Sequence, residues 1–172
     1  DGMYDQAMHA KTDWEIGGGE FWHKNYDPYD PLSLEKSHGI LPESLQELVR
    51  KGKATPILIT QATMYPDGRL VPVLLKGIDP DQRILKMPAK ALKDSAACCD
   101  LPALIGERMA SRSRLKKGDF LTLRWQDVYG AFDVMDARIV RLMRTPVSTI
   151  DNGQIWVPLD SLRRMLQAPG QA

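Results

Sequence analysis

His9, His23 and His38 are the only histidines in the chain, and all three fall in its first quarter. Their separations match no metal-ligand or acid–base spacing, and His23, beside Trp22, reads as a half-buried or surface side chain. Cys98 and Cys99 are neighbours in SAACCD. A bond between adjacent cysteines needs a strained ring, and a metal would need further ligands close by, so the pair reads as two small side chains in a semi-buried turn. Vicinal thiols sit uneasily with an oxidising compartment. The triplet Gly17-Gly18-Gly19 lacks the Lys-Ser/Thr that completes a phosphate loop. Ser111 and Ser113, in RMASRSRL, lie between arginines without the flanking glycines of a nucleophile elbow. Asp127, Asp133 and Asp136 follow no calcium-loop pattern. No set of acid, base and nucleophile emerges, and the expectation is a non-enzyme with no catalytic residue, cofactor or bound metal.

One cluster does stand out. FWHKNYDPY brings Phe21, Trp22, Tyr26 and Tyr29 together within nine residues. Two roles fit: a contact surface for a partner or an apolar ligand, or a cover for the core next to a glycine-rich strand. These four are the candidate partner-contact residues. Gly118 and Asp119, in LKKGDFLTLRW, form the other marked pair. Gly tolerates positive φ and Asp bonds its own backbone, so Gly-Asp reads as a structural turn launching a strand.

The frame that must hold these residues is an ordinary folded chain. The 172 residues suffice for one domain or two small ones, with 43% hydrophobic and 26% charged residues. A net charge of +1 supplies no basic field for nucleic acid. The longest apolar runs, TPILIT and VPVLL, are strand-sized, far short of the roughly 20 residues of a membrane helix. Asp1 opens with neither an initiator Met nor a leader, which reads as a piece cut from a longer protein.

Along the chain, residues 1–12 read as a short helix and Asp13–His23 as a strand with a bulge at the glycines. KNYDPYDPLSLEKSHG reads as loop, punctuated by Asp27-Pro28 and Asp30-Pro31. Leu41-Pro42-Glu43-Ser44 starts a helix with Leu45, Leu48 and Val49 on one face. TPILITQATMY and RLVPVLLKGI form a hairpin through Pro66-Asp67-Gly68, with Gly68 in the left-handed position. Gly77-Ile78-Asp79-Pro80 ends the second strand, and Pro102–Leu115 reads as a helix. Strands follow at the Gly118-Asp119 turn, at Ala131–Met143 and at Gln154–Val157, and PLDSLRRMLQ closes the chain as a helix. Paired strands with separate helices make the class α+β.

Three segments resemble the extracytoplasmic (periplasmic) domain of ABC transporter permeases of the MacB/LolCE/FtsX type. Asp1-Gly2-Met3 with Asp5-Gln6 is similar to the segment after the first membrane helix of these permeases. VLLKGIDPDQ (Val73–Gln82) is similar to their apolar strand ending in Gly-Ile-Asp-Pro. The most specific match is the series LIGERMASRSRLKKGDFLTL, ARIVRLM and IWVPLDSLRRML, in order over Leu104–Leu166. The loop at 21–40 has no counterpart. The family's returning strand–helix–strand after the Val-Pro-Leu helix is also missing, as the chain ends at QAPGQA, and the cysteine pair is a further departure.

The resemblance implies two small subdomains. Residues 1–79 would be a stalk helix and the first half of a larger, Porter-like, β-α-β-β membrane-proximal part. Residues 80–172 would be a smaller, Sabre-like, mainly-β part with short helices. It implies a permease dimer on the periplasmic side of the bacterial inner membrane, driven by a separate ABC ATPase subunit or domain. The external domain would transmit that motion to a lipoprotein or a periplasmic protein partner; the lipoprotein-release branch looks closest, efflux and activation of cell-wall hydrolases being the others. A stand-alone extracytoplasmic module binding an apolar or glycan ligand through residues 21–29 is the alternative from another class, and a metal sensor using His9, His23 and methionines is a third.

Overall fold

Alternating burial along Ile57–Met64 (β1) sends Leu58, Thr60, Ala62 and Met64 inward, and Val71–Ile78 (β2) runs back beside it in an eight-residue antiparallel register. The computed structural model describes residues 8–94 and 101–172. Four further strands follow: Leu101–Gly106 (β3), Phe120–Gln126 (β4), Phe132–Met143 (β5) and Gln154–Pro158 (β6). All six close into one barrel in the order β1-β2-β6-β3-β5-β4. The β2–β6 and β3–β5 pairs are parallel, and the other four are antiparallel. Short helices fill the connections: Glu43–Arg50 (α1), Glu107–Ser113 (α2), Ser148–Gly153 (α3) and Leu159–Met165 (α4). The class is α+β. Strands from residues 1–79 and from residues 80–172 share this barrel, so the two segments do not form separate sheets.

The barrel has an interior core and an outer one. Leu58, Val73, Leu75, Ala103, Ile105, Leu121, Leu123, Trp125, Ile139 and Ile155 fill the interior. Burying each large side chain is worth about 1.5–3 kcal/mol. Trp125 donates its indole N–H to Met165 O (2.9 Å), which seats α4 against the barrel. Gly77 lets that helix approach, since a Cβ there would lie 3.1 Å from Leu159 Cα. Outside the barrel, Ile78, Leu104, Val140 and Trp156 form a second core with Leu85, Met87 and Leu92 of the 79–93 segment and Ile150 of α3.

The hairpin turn has Gly68 at φ +73, as its sequence requires, and Asp67 joins it at φ +49. The Gly118-Asp119 turn is held by two backbone bonds and one bond to the Asp119 side chain. Gly118, at φ +94, donates to Ile139 O (2.7 Å), Ile139 N donates to Asp119 O (2.9 Å), and Lys116 N donates to the Asp119 carboxylate (2.8 Å).

Two elements differ from the sequence expectation. Pro102–Leu115 is not one helix: Leu101–Gly106 is strand and only Glu107–Ser113 is helical. β3 is flanked by β5 and β6 and buried on both faces, so its six residues are all buried and show no alternation. Asp13–His23 is not a strand. Thr12–Ile16 forms a π-helical turn closed by Gly17 N donating to Thr12 O (2.7 Å), and Gly17 at φ +63 ends it. Residues 8–11 are helical, as expected, and the rest of the expected 1–12 helix lies outside the described residues. The loop at 24–39 contains a 3₁₀ turn, Pro31–Lys36. Its far end pairs with the C-terminus through Gly39 and Ala172 (3.0 and 3.2 Å).

Gly106 joins β3 to α2, and a Cβ there would overlap the backbone of Asp151, whose Cα would lie at 2.5 Å. Asp151 is buried, accepts the Arg108 N–H (3.1 Å) and pairs with the Arg108 guanidinium (3.1 Å), tying α2 to α3. Gly106 has an ordinary φ of −72, so substitution there acts through overlap alone. A Cβ at Gly118 would meet open space, so substitution there acts through backbone strain alone. Gly106→Ala should cost about 2–3 kcal/mol and Gly118→Val about 1–2 kcal/mol, read as shifts of the urea midpoint. A Gly118→Val midpoint equal to that of the unaltered protein would remove this account of the turn.

Candidate functional site: an aromatic loop and a strapped N-terminal turn

The aromatic residues lie on the surface rather than over the core. Phe21 is 73% exposed, Tyr29 94% and Trp22 45%, and Tyr26 is half-buried. Trp22 and Tyr26 stack with ring centroids 4.0 Å apart and planes 15° from parallel. The Trp22 indole N–H donates to Glu20 (3.2 Å). Asp27 and Asp30 hold the loop by accepting from Tyr29 N and Leu32 N (both 2.9 Å), the side-chain-to-backbone bonds their Asp-Pro spacing favours. The loop therefore presents flat apolar faces from a backbone with its own internal bonds.

A second set of exposed apolar side chains lies on the β4–β5 hairpin, at Phe120, Tyr129, Phe132, Val134 and Met135. Sequence reasoning missed it. The signal was present: apolar residues at 132, 134 and 135 cannot all share one face of a strand.

The sequence reading also passed over Lys76, the lone charge in VPVLLKGI. It is 7% exposed, on the outer face of β2, with Nζ 5.1 Å from the Trp156 ring centroid. Its partner is Glu15 of the N-terminal turn, at 3.9 Å. The same Glu15 oxygen accepts from Gln154 Nε2 (3.2 Å) on β6. Asp13 adds two bonds to Lys86, one from the backbone N–H (2.8 Å) and one from the ammonium (2.5 Å). Trp14 packs on the outer core between these anchors. The turn at 12–17 is thus strapped onto the barrel by polar bonds at both flanks and an indole between them. Burial lowers the Lys76 pKa below its ordinary 10.5, and the nearby Glu15 and Glu20 carboxylates offset this only in part.

The remaining sequence candidates are dispersed. His9 is exposed, and His38 bonds Gln171 through Nδ1 (2.5 Å). Ser111 donates to Glu107 O, and Ser113 is buried. Asp127 caps the hairpin turn by accepting from Tyr129 N (2.9 Å) and Ala131 N (2.8 Å). Among the described residues no three His, Cys, Asp or Glu side chains are placed to hold a metal. Cys98 and Cys99 lie outside the described residues. No helix among the described residues is long and apolar enough to cross a membrane. Compared with known proteins, the chain matches no family model and no curated protein.

The Lys76 shift has a definite pH signature. Between its lowered folded value and the unfolded 10.5, the unfolded chain binds the proton and the folded chain does not. Stability therefore rises with pH across that window, and the cost of burying the charge is present in full below it. The difference in unfolding free energy between the protein and its Lys76→Met variant should climb as pH approaches 10.5. A flat difference profile would mean that Lys76 is not desolvated in solution.

Proposed function

We propose that this chain is the extracytoplasmic domain of an ABC transporter permease of the MacB/LolCE/FtsX type, passing ATP-driven motion to a substrate or partner outside the inner membrane. The resemblance over Leu104–Leu166 motivates the family, and the strapped N-terminal turn is the observation that carries the transmission role. A domain that relays force needs its entering segment keyed to a stiff body. Here Glu15, Asp13 and Trp14 key residues 12–17 to a closed barrel through Lys76, Gln154 and Lys86. Because the barrel takes strands from both 1–79 and 80–172, this reading treats it as one rigid body rather than two subdomains moving separately. A lipoprotein or periplasmic protein would meet the exposed aromatic loop, where large rigid side chains supply contact area at low entropic cost. ATP would be bound by a partner subunit or a further domain.

The alternative, a stand-alone ligand-binding module, draws on the same exposed Phe21 and Tyr29 and the stacked Trp22–Tyr26 pair. The two readings part at the ATPase. The full reading frame, affinity-purified from membranes, is expected to bring an ABC ATPase with it, as a subunit or as part of the same chain. Recovery without any ATPase would overturn the permease reading. In a reconstituted complex, Glu15→Gln with Lys76→Met should leave ATP hydrolysis within about twofold and reduce coupled release about tenfold, roughly 1.4 kcal/mol of lost coupling. Equal losses of both activities would argue against a strap that transmits motion.

A further inference from the structure

We propose that a groove on the outer wall of the barrel, separate from the aromatic loop, binds a neutral oligosaccharide. The groove encloses about 890 Å³, within the range of small-ligand sites. It runs over the outer faces of β1, β2 and β4 to the start of β6, bordered by α3 and by Glu35 of the 31–36 turn. The proposal does not rest on the permease reading.

Its lining has an unusual hydrogen-bonding balance. Four carboxamides reach it: Gln61, Gln126, Asn152 and Gln154. Each spends its NH₂ group on the protein itself: Gln61 on Pro31 O (2.9 Å), Gln126 on Gly130 O (2.7 Å), Asn152 on Ser148 O (3.0 Å) and Gln154 on Glu15 (3.2 Å). The four carboxamide oxygens accept no hydrogen bond among the described residues. Two of them, Asn152 Oδ1 and Gln154 Oε1, are buried and unpartnered, and Gln154 itself is only 3% exposed. Gln61 Oε1 and Gln126 Oε1, which are not closed off from solvent, are the acceptors the groove offers to an occupant rich in O–H or N–H donors. Hydroxyls of Thr63, Ser148 and Thr149 complete the lining with groups that both donate and accept.

Charge and an exposed ring narrow the occupant. The groove's only charged side chains, Arg124 and Glu35, are opposite in sign and so select no net charge. Arg124 lies over one face of Phe132 (4.2 Å), and Phe132 remains 63% exposed, a flat platform of the kind sugar C–H faces cover. A polyhydroxylated, uncharged chain meets all of these features: donors for the carbonyls, an apolar face for Phe132 and no charge.

Chitotetraose and maltotetraose, titrated separately into the ¹⁵N-labelled protein, test this by amide chemical shifts. Saturable shifts with either sugar, centred on residues 61–63, 124–132 and 148–154, are expected. Phe132→Ala and Gln126→Ala should each weaken binding at least about tenfold with native dispersion retained, and Phe132→Tyr should restore it. No saturable shift with either sugar up to about 10 mM would overturn the proposal. So would shifts confined to residues 21–29, or binding untouched by both alanine variants.

Discussion

Barrel closure rests on a short seam. β1 meets β4 over three residue pairs, Ala62–Trp125, Thr63–Arg124 and Met64–Leu123, whereas β1 and β2 pair over eight. Without that seam the six strands would be an open sheet with two free edges, each a row of unpaired backbone groups open to other chains. The inward residues of the seam, Ala62, Met64, Leu123 and Trp125, belong to the interior core, so hydrogen bonding and burial close the same gap. Trp125 also reaches Met165 through its indole, which makes the final helix part of the closure.

Among the described residues, the outer core is fastened to that wall. The 79–93 segment and α3 cover the outer faces of β2, β3, β5 and β6 with apolar side chains. The N-terminal turn then crosses the edge of this cover, and there a buried lysine replaces apolar contact. A lysine under such cover is expensive, and the Glu15 carboxylate at 3.9 Å, with Glu20 nearby, recovers only part of the expense. An apolar residue at 76 would hold the turn less selectively. The ion pair ties the turn to one docked position and offers nothing to a displaced one.

The surface divides by what the barrel leaves uncovered. The aromatic loop is anchored by its own Asp turns and by Gln61 donating to Pro31 O (2.9 Å), so its rings project from a fixed base. The groove lies beside it, and Gln61 serves both, holding the turn at 31–36 through its nitrogen and leaving its oxygen to the groove. The two surfaces differ in chemistry: one is flat and aromatic, the other sets amide and hydroxyl groups among apolar side chains such as Pro72, Leu74 and Phe132.

Local features were legible in the amino-acid order because they depend only on neighbours. Pro66-Asp67-Gly68, Gly118-Asp119 and Pro158 before the last helix each act through φ preference and nearby backbone bonds, and each turn or start stands where its residues require it. Alternation in β1 and β4 likewise reports one covered face. β3 was illegible because a strand covered on both faces shows the same unbroken apolar run as a buried helix. The triple glycine misled because its residues accept either a bulge or a turn, and Trp14 docking on the outer core selected the turn. Exposure of the aromatic loop, the pairing of Glu15 with Lys76 and Gln154, and the convergence of four carboxamides on one groove join residues up to 139 positions apart. Sequence alone determined which segments turn and which alternate; which distant side chains meet, and which are left facing water, was decided only when the sheet closed and brought them together.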